Sequence, residues 1–451
     1  MSRPGTSTQH ITPYDRFAWS DVEIERMLAS GEHRQELAAY FGESEYLDLV
    51  RLARKAERVA VREAHPHVFV IPGILGSQLG IARRPPLPND VLWLDPIDIQ
   101  VGRLKLLSLD AGAPIAPLGV VLYSHLKLRL RLRAAGFAVT LHAYDWRLGI
   151  EESAASFAEQ LRKRLPRRVA IVAHSMGGLV SRAALAMPGT EHVERVVLLG
   201  TPNRGSYAPV QALRGTYAVV RKVARLDVAG TAERLTAEVF NSFPSLYQMI
   251  PVSSRRGAAD LLEASEWPGS GPPLRLSLLE RARRFREGLE APDGRFVAIA
   301  GVGQETVTAV SKGRDGSGFV YTITRHGDGT VPTESAALDG VSTYFANTAH
   351  SDLTRDAQVA SAIVDILRKG STSRLQMRWR SDNRAQARVS DRELRLTHTD
   401  KVDWASLTPA QRRDFLESLN EPPKLRLRVP AGRRRPSPRP AHPSRTSRDR
   451  S

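Results

Sequence analysis

The sequence predicts an α/β fold in which helices cover both faces of a mostly parallel, doubly wound sheet. Three observations predict it. Short runs of strand length, such as VAIVA (169–173) and VVLLG (196–200), are apolar throughout, as strands buried on both faces are. These runs alternate with segments of helical periodicity. The alternation stops between Ser206 and about Gly288 and resumes at Phe296, so a separate insertion interrupts the sheet.

The elements follow in order. Ser20 and Glu23 form an S-x-x-E capping signature ahead of an apolar-periodic stretch. Tyr46, Leu47, Leu49, Val50, Leu52 and Ala53 recur at helical spacing, and residues 1–66 read as a loose leader and a helical extension. Strands are expected at His67–Ile71, Phe137–Ala143, Arg168–Ala173, Val193–Leu199, Phe296–Ala300 and Val341–Ala346. Helices are expected at Leu118–Ala135, Glu151–Leu165 and Gly177–Met187. Residues 67–370 form the sheet domain, with a cap or lid inserted at about 207–290. Residues 371–430 read as a small appended module, and 431–451 as a disordered basic tail rich in Pro, Arg and Ser.

Composition narrows the function classes. The 451 residues carry a net charge of +17. Between Lys424 and Arg450, ten basic residues face one acid, Asp449, so +9 lies in that stretch and +8 is left for the rest. The tail is either solvated or drawn to anionic membranes. It lacks the interleaved aromatics that stack nucleic-acid bases, and nucleic acid is not the expected partner. Cysteine is absent, which excludes disulfides, thiolate catalysis and Cys-bound metals. The N-terminal residues contain no apolar signal region, and no run approaches the roughly 18 apolar residues of a membrane span. A cytoplasmic protein, peripheral to a membrane at most, is expected.

The chemistry is read from AHSMG (173–177), which lies between an apolar strand and a helix. A serine on a sharp strand-to-helix turn needs small neighbours, and Ala173 and Gly177 supply them. The turn lifts the Ser175 hydroxyl towards the positive end of the following helix. A hydroxyl is a weak nucleophile without an adjacent base. In an α/β-hydrolase fold the acid and then the histidine follow the serine in the chain. Asp328 in GDGTVP (327–332) and His350 in NTAHSD (347–352) occupy successive loops at one sheet edge. Asp328 also suits an Asx turn. Asp315 and Asp352 are rival acids, His326 is a rival base, and His174 reads as a packed elbow residue. The Gly-rich turn PGILGS (72–77) ends the first strand. It offers the Ile74 N–H as one oxyanion donor, and the Met176 N–H is the other. Neither cofactor nor metal is expected.

PGILGS, YDWR (144–147), AHSMGG (173–178), GTP (200–202), FPSLYQMIP (243–251), GDGTVP and His350 occur in one order over about residues 67–355. Together they resemble the lecithin:cholesterol and phospholipid:diacylglycerol acyltransferase family of α/β-hydrolases. The resemblance implies the triad Ser175, Asp328 and His350, and a glycerolipid acyl ester as substrate. It also implies Trp146 as a pocket wall, while Asp145 and Arg147 suit a structural ion pair. Phe243, Leu246 and Tyr247 of the insertion are further expected wall residues. The expected activity is hydrolysis of acyl lipids. An O-acyltransferase passing the same acyl group to an alcohol is the alternative, and an inactive lipid-binding module is the remote one.

Overall fold

The computed structural model describes residues 19–420 except 86, 253–258, 314, 315, 317 and 381–385. The whole of the expected loose leader (1–15) and of the expected basic tail lies outside the described residues, as does Asp315.

Six parallel strands form the central sheet. In spatial order they are Ser342–Ala346, Phe296–Gly301, Val193–Leu199, Val169–His174, His67–Ile71 and Val139–Leu141. Their register is direct: Val70 lies opposite Val172, Val172 opposite Val197, and Ala298 opposite Thr343. Val169–Ala173 is buried at every position because helices cover both faces. The helix Met176–Leu185 packs with Ile150–Arg162 on one side. The helices Leu122–Ala134 and Ala357–Lys369 touch each other, and Leu128, Leu132, Ile363 and Ile366 join Val68, Val70 and Val172 in a second core cluster. This is an α/β-hydrolase fold.

Two smaller antiparallel sheets lie outside the alternating pattern. Ser77–Ile81 pairs with Asp90–Trp93 and with Ile115–Val120. Leu118, expected in a helix, therefore lies in a strand, and the helix begins at Leu122. Pro117 and Gly119 are poor helix formers, and the ladder from Ser77 to Val120 supplies the pairing that the local sequence does not advertise. The second small sheet joins Thr306–Lys312, Phe319–Thr324 and Ala387–Ser390.

The expected capping box is formed: the Glu23 N–H donates to Ser20 Oγ and the Ser20 N–H to Glu23 Oε2. The helix Glu43–Arg58 that follows packs along Leu122–Ala134. Lys127 meets Glu45 of that helix at 2.6 Å, and Arg129 meets Glu25 of the first helix, Asp21–Ser30, at 2.7 Å, so ion pairs tie Leu122–Ala134 to both.

Between the strands Val193–Leu199 and Phe296–Gly301 lie the helices Tyr207–Leu213, Ala218–Leu226, Ala232–Glu238, Pro244–Gln248 and Leu276–Glu287. The C-terminal residues grip this insertion. Asp391, 1% exposed, accepts from Arg214 Nε at 2.9 Å, the Tyr321 hydroxyl at 2.8 Å and the Phe319 N–H at 3.1 Å. The helix Pro409–Asn420 packs against Ala218–Leu226 and against Arg34–Phe41. Among the described residues no helix is long and apolar enough to cross a membrane.

Candidate active site

Ser175 stands between the strand Val169–His174 and the helix Met176–Leu185 with φ 54° and ψ −127°. A non-glycine residue is strained there, and it persists because its surroundings fix it. The Ser175 N–H donates to Leu199 O at 2.8 Å, and Ser175 O accepts from the Gly178 N–H at 3.0 Å. Gly177 and Gly178 are required by close approach. A Cβ on Gly177 would lie 2.5 Å from Pro72 O, and one on Gly178 would lie 2.0 Å from Thr201 Oγ1.

His350 Nε2 lies 2.9 Å from Ser175 Oγ, across 175 residues of chain. Its Nδ1 lies 2.7 Å from Asp328 Oδ2. Asp328 is 1% exposed, and its other oxygen accepts from the N–H groups of Thr330 at 2.9 Å and Val331 at 2.7 Å. The Asx-turn geometry and the contact with His350 therefore occur in the same carboxylate. Gly200, at φ +54°, backs the pair: a Cβ there would lie 3.0 Å from both Asp328 Oδ2 and His350 Nδ1.

The rivals are elsewhere. Asp352 sits in the short turn His350–Asp352, with its carboxylate 4.0 Å from Arg355. The His326 ring meets Trp379 edge to face at 5.5 Å. His174 Nε2 lies 2.9 Å from His350 O, so that nitrogen carries the proton and donates. Burial, helped by the nearby His350 and His125, pushes its pKa well below the ordinary histidine value.

A cavity of about 130 Å³ opens over Ser175. Gly73, Ile74 and Leu75 line it, as do the polar residues Ser124, His125, His350 and Ser351. Met176 is the first residue of its helix, so its N–H has no acceptor within that helix. Val219, Val220, Phe240, Leu246 and Met249 of the insertion supply the apolar part, with Tyr217 beside them. Burial pushes the Tyr217 hydroxyl up to about 12. Leu419 of the C-terminal helix also reaches the cavity.

Of the four expected wall residues, Leu246 lines the cavity, and Trp146, Phe243 and Tyr247 do not. These three are fully buried behind it. Trp93, Trp146, Phe243 and Phe240 stack edge to face in series at 5.6–5.7 Å. The Tyr247 hydroxyl donates to Asn241 O at 3.3 Å. Large rings at helical spacing packed as core because that buries the most apolar area. Asp145 and Arg147 form a buried ion pair at 2.6 Å, and Arg147 also donates to Leu107 O at 2.8 Å. Val219, Val220, Tyr217 and Leu419 were not singled out by sequence. Their helices carry no signal that distinguishes a cavity wall from core.

A family model described as the PGAP1-like alpha/beta domain matches residues 143–268. That span holds YDWR, the serine turn and much of the insertion, and it ends before Asp328 and His350. No curated protein matches the sequence. Among solved structures, the Tle4-Tli4 complex is similar with TM-score 0.45 and 17% identity, covering 69% of this chain and 100% of that one. The mature lipase BlEst2 of Bacillus licheniformis is similar with TM-score 0.36 and 13% identity, covering 68% and 94%. The phospholipase PlaB of Legionella pneumophila is similar with TM-score 0.33 and 9% identity, covering 68% and 60%. At these identities the functional reading rests on the chain's own residues.

Proposed function

We propose that this chain is a serine hydrolase that forms an acyl-enzyme on Ser175 and cleaves the ester bonds of acyl lipids. The observation that carries the reading is the continuous contact from Ser175 Oγ through His350 to Asp328, with Ser175 and His350 lining a largely apolar cavity. In the proposed reaction His350 Nε2 takes the hydroxyl proton as Ser175 Oγ attacks the ester carbonyl. Asp328 holds the Nδ1–H tautomer and offsets the charge that the imidazole gains. The N–H groups of Ile74 and Met176 receive the oxyanion, and a donor of this kind is typically worth about 10²–10³ in rate. His350 then protonates the leaving alcohol, and water, activated by the same imidazole, releases the acid.

The apolar cavity wall favours an aliphatic acyl chain. A cavity of about 150 Å³ holds benzene, so this one, at about 130 Å³, shelters about six carbons. A longer chain must displace insertion residues or project past them. Transfer of the acyl group to an alcohol would use the same acyl-enzyme and is the finer alternative, supported by the resemblance of the motifs.

The test is labelling with a fluorophosphonate. Wild type should be labelled and Ser175→Ala should not. Labelling that persists in the variant would overturn the assignment. Mass spectrometry of products from a phospholipid mixture, with and without an added alcohol, separates hydrolysis from transfer.

A further inference from the structure

The turn Pro72–Ser77 is held by its carbonyls. Pro72 O accepts from the Tyr144 hydroxyl at 2.9 Å, and Leu75 O from Trp93 Nε1 at 2.9 Å. Ser77 O accepts from Trp146 Nε1 at 3.0 Å. Gly73 O accepts from the Gly76 N–H at 3.1 Å, and Gly76 O from the Val121 N–H at 2.9 Å. Tyr144 binds the turn twice, because its N–H also donates to Ser77 Oγ at 3.1 Å. The donors Trp93, Tyr144 and Trp146 are all buried.

A peptide unit is planar, so fixing its carbonyl also fixes the direction of the N–H across the bond. The Ile74 N–H shares its plane with Gly73 O. The preceding plane carries Pro72 O, held by Tyr144, and the one beyond Ile74–Leu75 carries Leu75 O, held by Trp93. Leu75 itself stands at φ 64°, where a side chain is strained, so the turn needs such anchors. Among the described residues the N–H groups of Gly73, Ile74 and Leu75 meet no acceptor, while the carbonyls of Pro72, Gly73 and Leu75 are tied. The turn lies against the nucleophile: a Cβ on Gly73 would be 2.7 Å from Ser175 Cβ and 3.2 Å from Ser175 Oγ.

We infer that Tyr144, with Trp93, is a positioning residue for the oxyanion site: its hydroxyl anchors the peptide plane before the one that aims the Ile74 N–H. The inference rests on the proposed serine-hydrolase reading. It gives the YDWR tyrosine a role that is neither substrate contact nor cavity wall. Tyr144→Phe removes one hydroxyl and keeps the ring, so the turn gains freedom while the apolar packing stays.

The experiment compares wild type and Tyr144→Phe on a soluble short-chain ester, and measures inhibition by a boronic acid that mimics the tetrahedral intermediate. Aiming one donor less well should lose less than deleting it, so kcat should fall by about tenfold with KM unchanged. Boronic acid affinity should fall by a similar factor. A merely structural tyrosine would lower the active fraction and leave inhibitor affinity alone. If Tyr144→Phe does not fold, Trp93→Phe gives the same readouts through Leu75 O. Wild-type kcat and inhibitor affinity in a folded variant would overturn the inference. Absence of Ser175 labelling in the wild type would instead overturn the hydrolase reading, so the two failures are distinguishable.

Discussion

His350 is tied to Asp328 at two points. Its backbone N–H donates to Asp328 O at 2.8 Å, and its Nδ1 meets Asp328 Oδ2 at 2.7 Å. The side-chain contact selects a tautomer, and the backbone contact fixes one loop against the other. Loss of the carboxylate charge therefore affects the imidazole before it affects the loop.

Asp328→Asn should fold like the wild type and lose about four orders of magnitude in kcat, because an amide offers a donor where the Nδ1–H needs an acceptor. Thermal unfolding by circular dichroism and ester turnover measure the two effects. A loss under tenfold would remove Asp328 from the reaction.

The insertion residues should divide into two kinds. Leu246 lines the cavity, whereas Phe243 is packed between Trp146 and Phe240. Leu246→Asp should depress kcat/KM for an octanoyl ester far more than for an acetyl ester. Phe243→Asp buries an unpaired charge and should lower the melting temperature and both activities together. Equal losses on both esters in a folded Leu246→Asp variant would make Leu246 core rather than wall.

Stability should fall in acid before the carboxylates titrate. Burial lowers His125 and His142 from 6.5 to about 4 and holds His174 well below its usual value. Between pH 6.5 and about 4 the unfolded chain binds more protons at these sites than the folded one. Stability is therefore full above pH 6.5 and declines as pH falls through that window, by up to about 1.4 kcal/mol per pH unit for each histidine. Urea unfolding at pH 7.5, 6.0 and 5.0 should show the decline, and His125→Gln should make it shallower. An unchanged slope in that variant would exclude His125 as a contributor.

The C-terminal residues 431–451 hold seven arginines against one acid. Each basic residue near an anionic surface contributes about 1 kcal/mol of attraction. Deleting them should leave turnover of a soluble short-chain ester unchanged. It should weaken sedimentation with phosphatidylserine vesicles, most of all at low salt. Equal binding by both forms would make the tail a solvated segment with no membrane role.

Local signals and long-range contacts divide what could be read in advance. Ser175 was legible because a buried strand, small flanking residues and a helix are contiguous. Asp328 and His350 were legible because strand-ending loops of a parallel sheet gather at one edge. Strand boundaries at His67–Ile71 and Val193–Leu199 followed from apolar runs that end at turns. The cavity walls were not legible. Leu246 and Phe243 are three residues apart in one apolar stretch, yet only Leu246 faces the cavity. Nothing nearby distinguishes them, because the choice depends on Trp146 packing from a different element. Leu419 reaches the site from the far end of the described chain, and Tyr144 anchors Pro72 across 72 residues. The sequence by itself determined the sheet, the serine turn and the order of the three polar groups, since periodicity and turn chemistry act over a few residues. Only the tertiary structure decided which buried rings are core, which are wall, and what holds the turn Pro72–Ser77, because those outcomes depend on side-chain packing between segments distant in the chain.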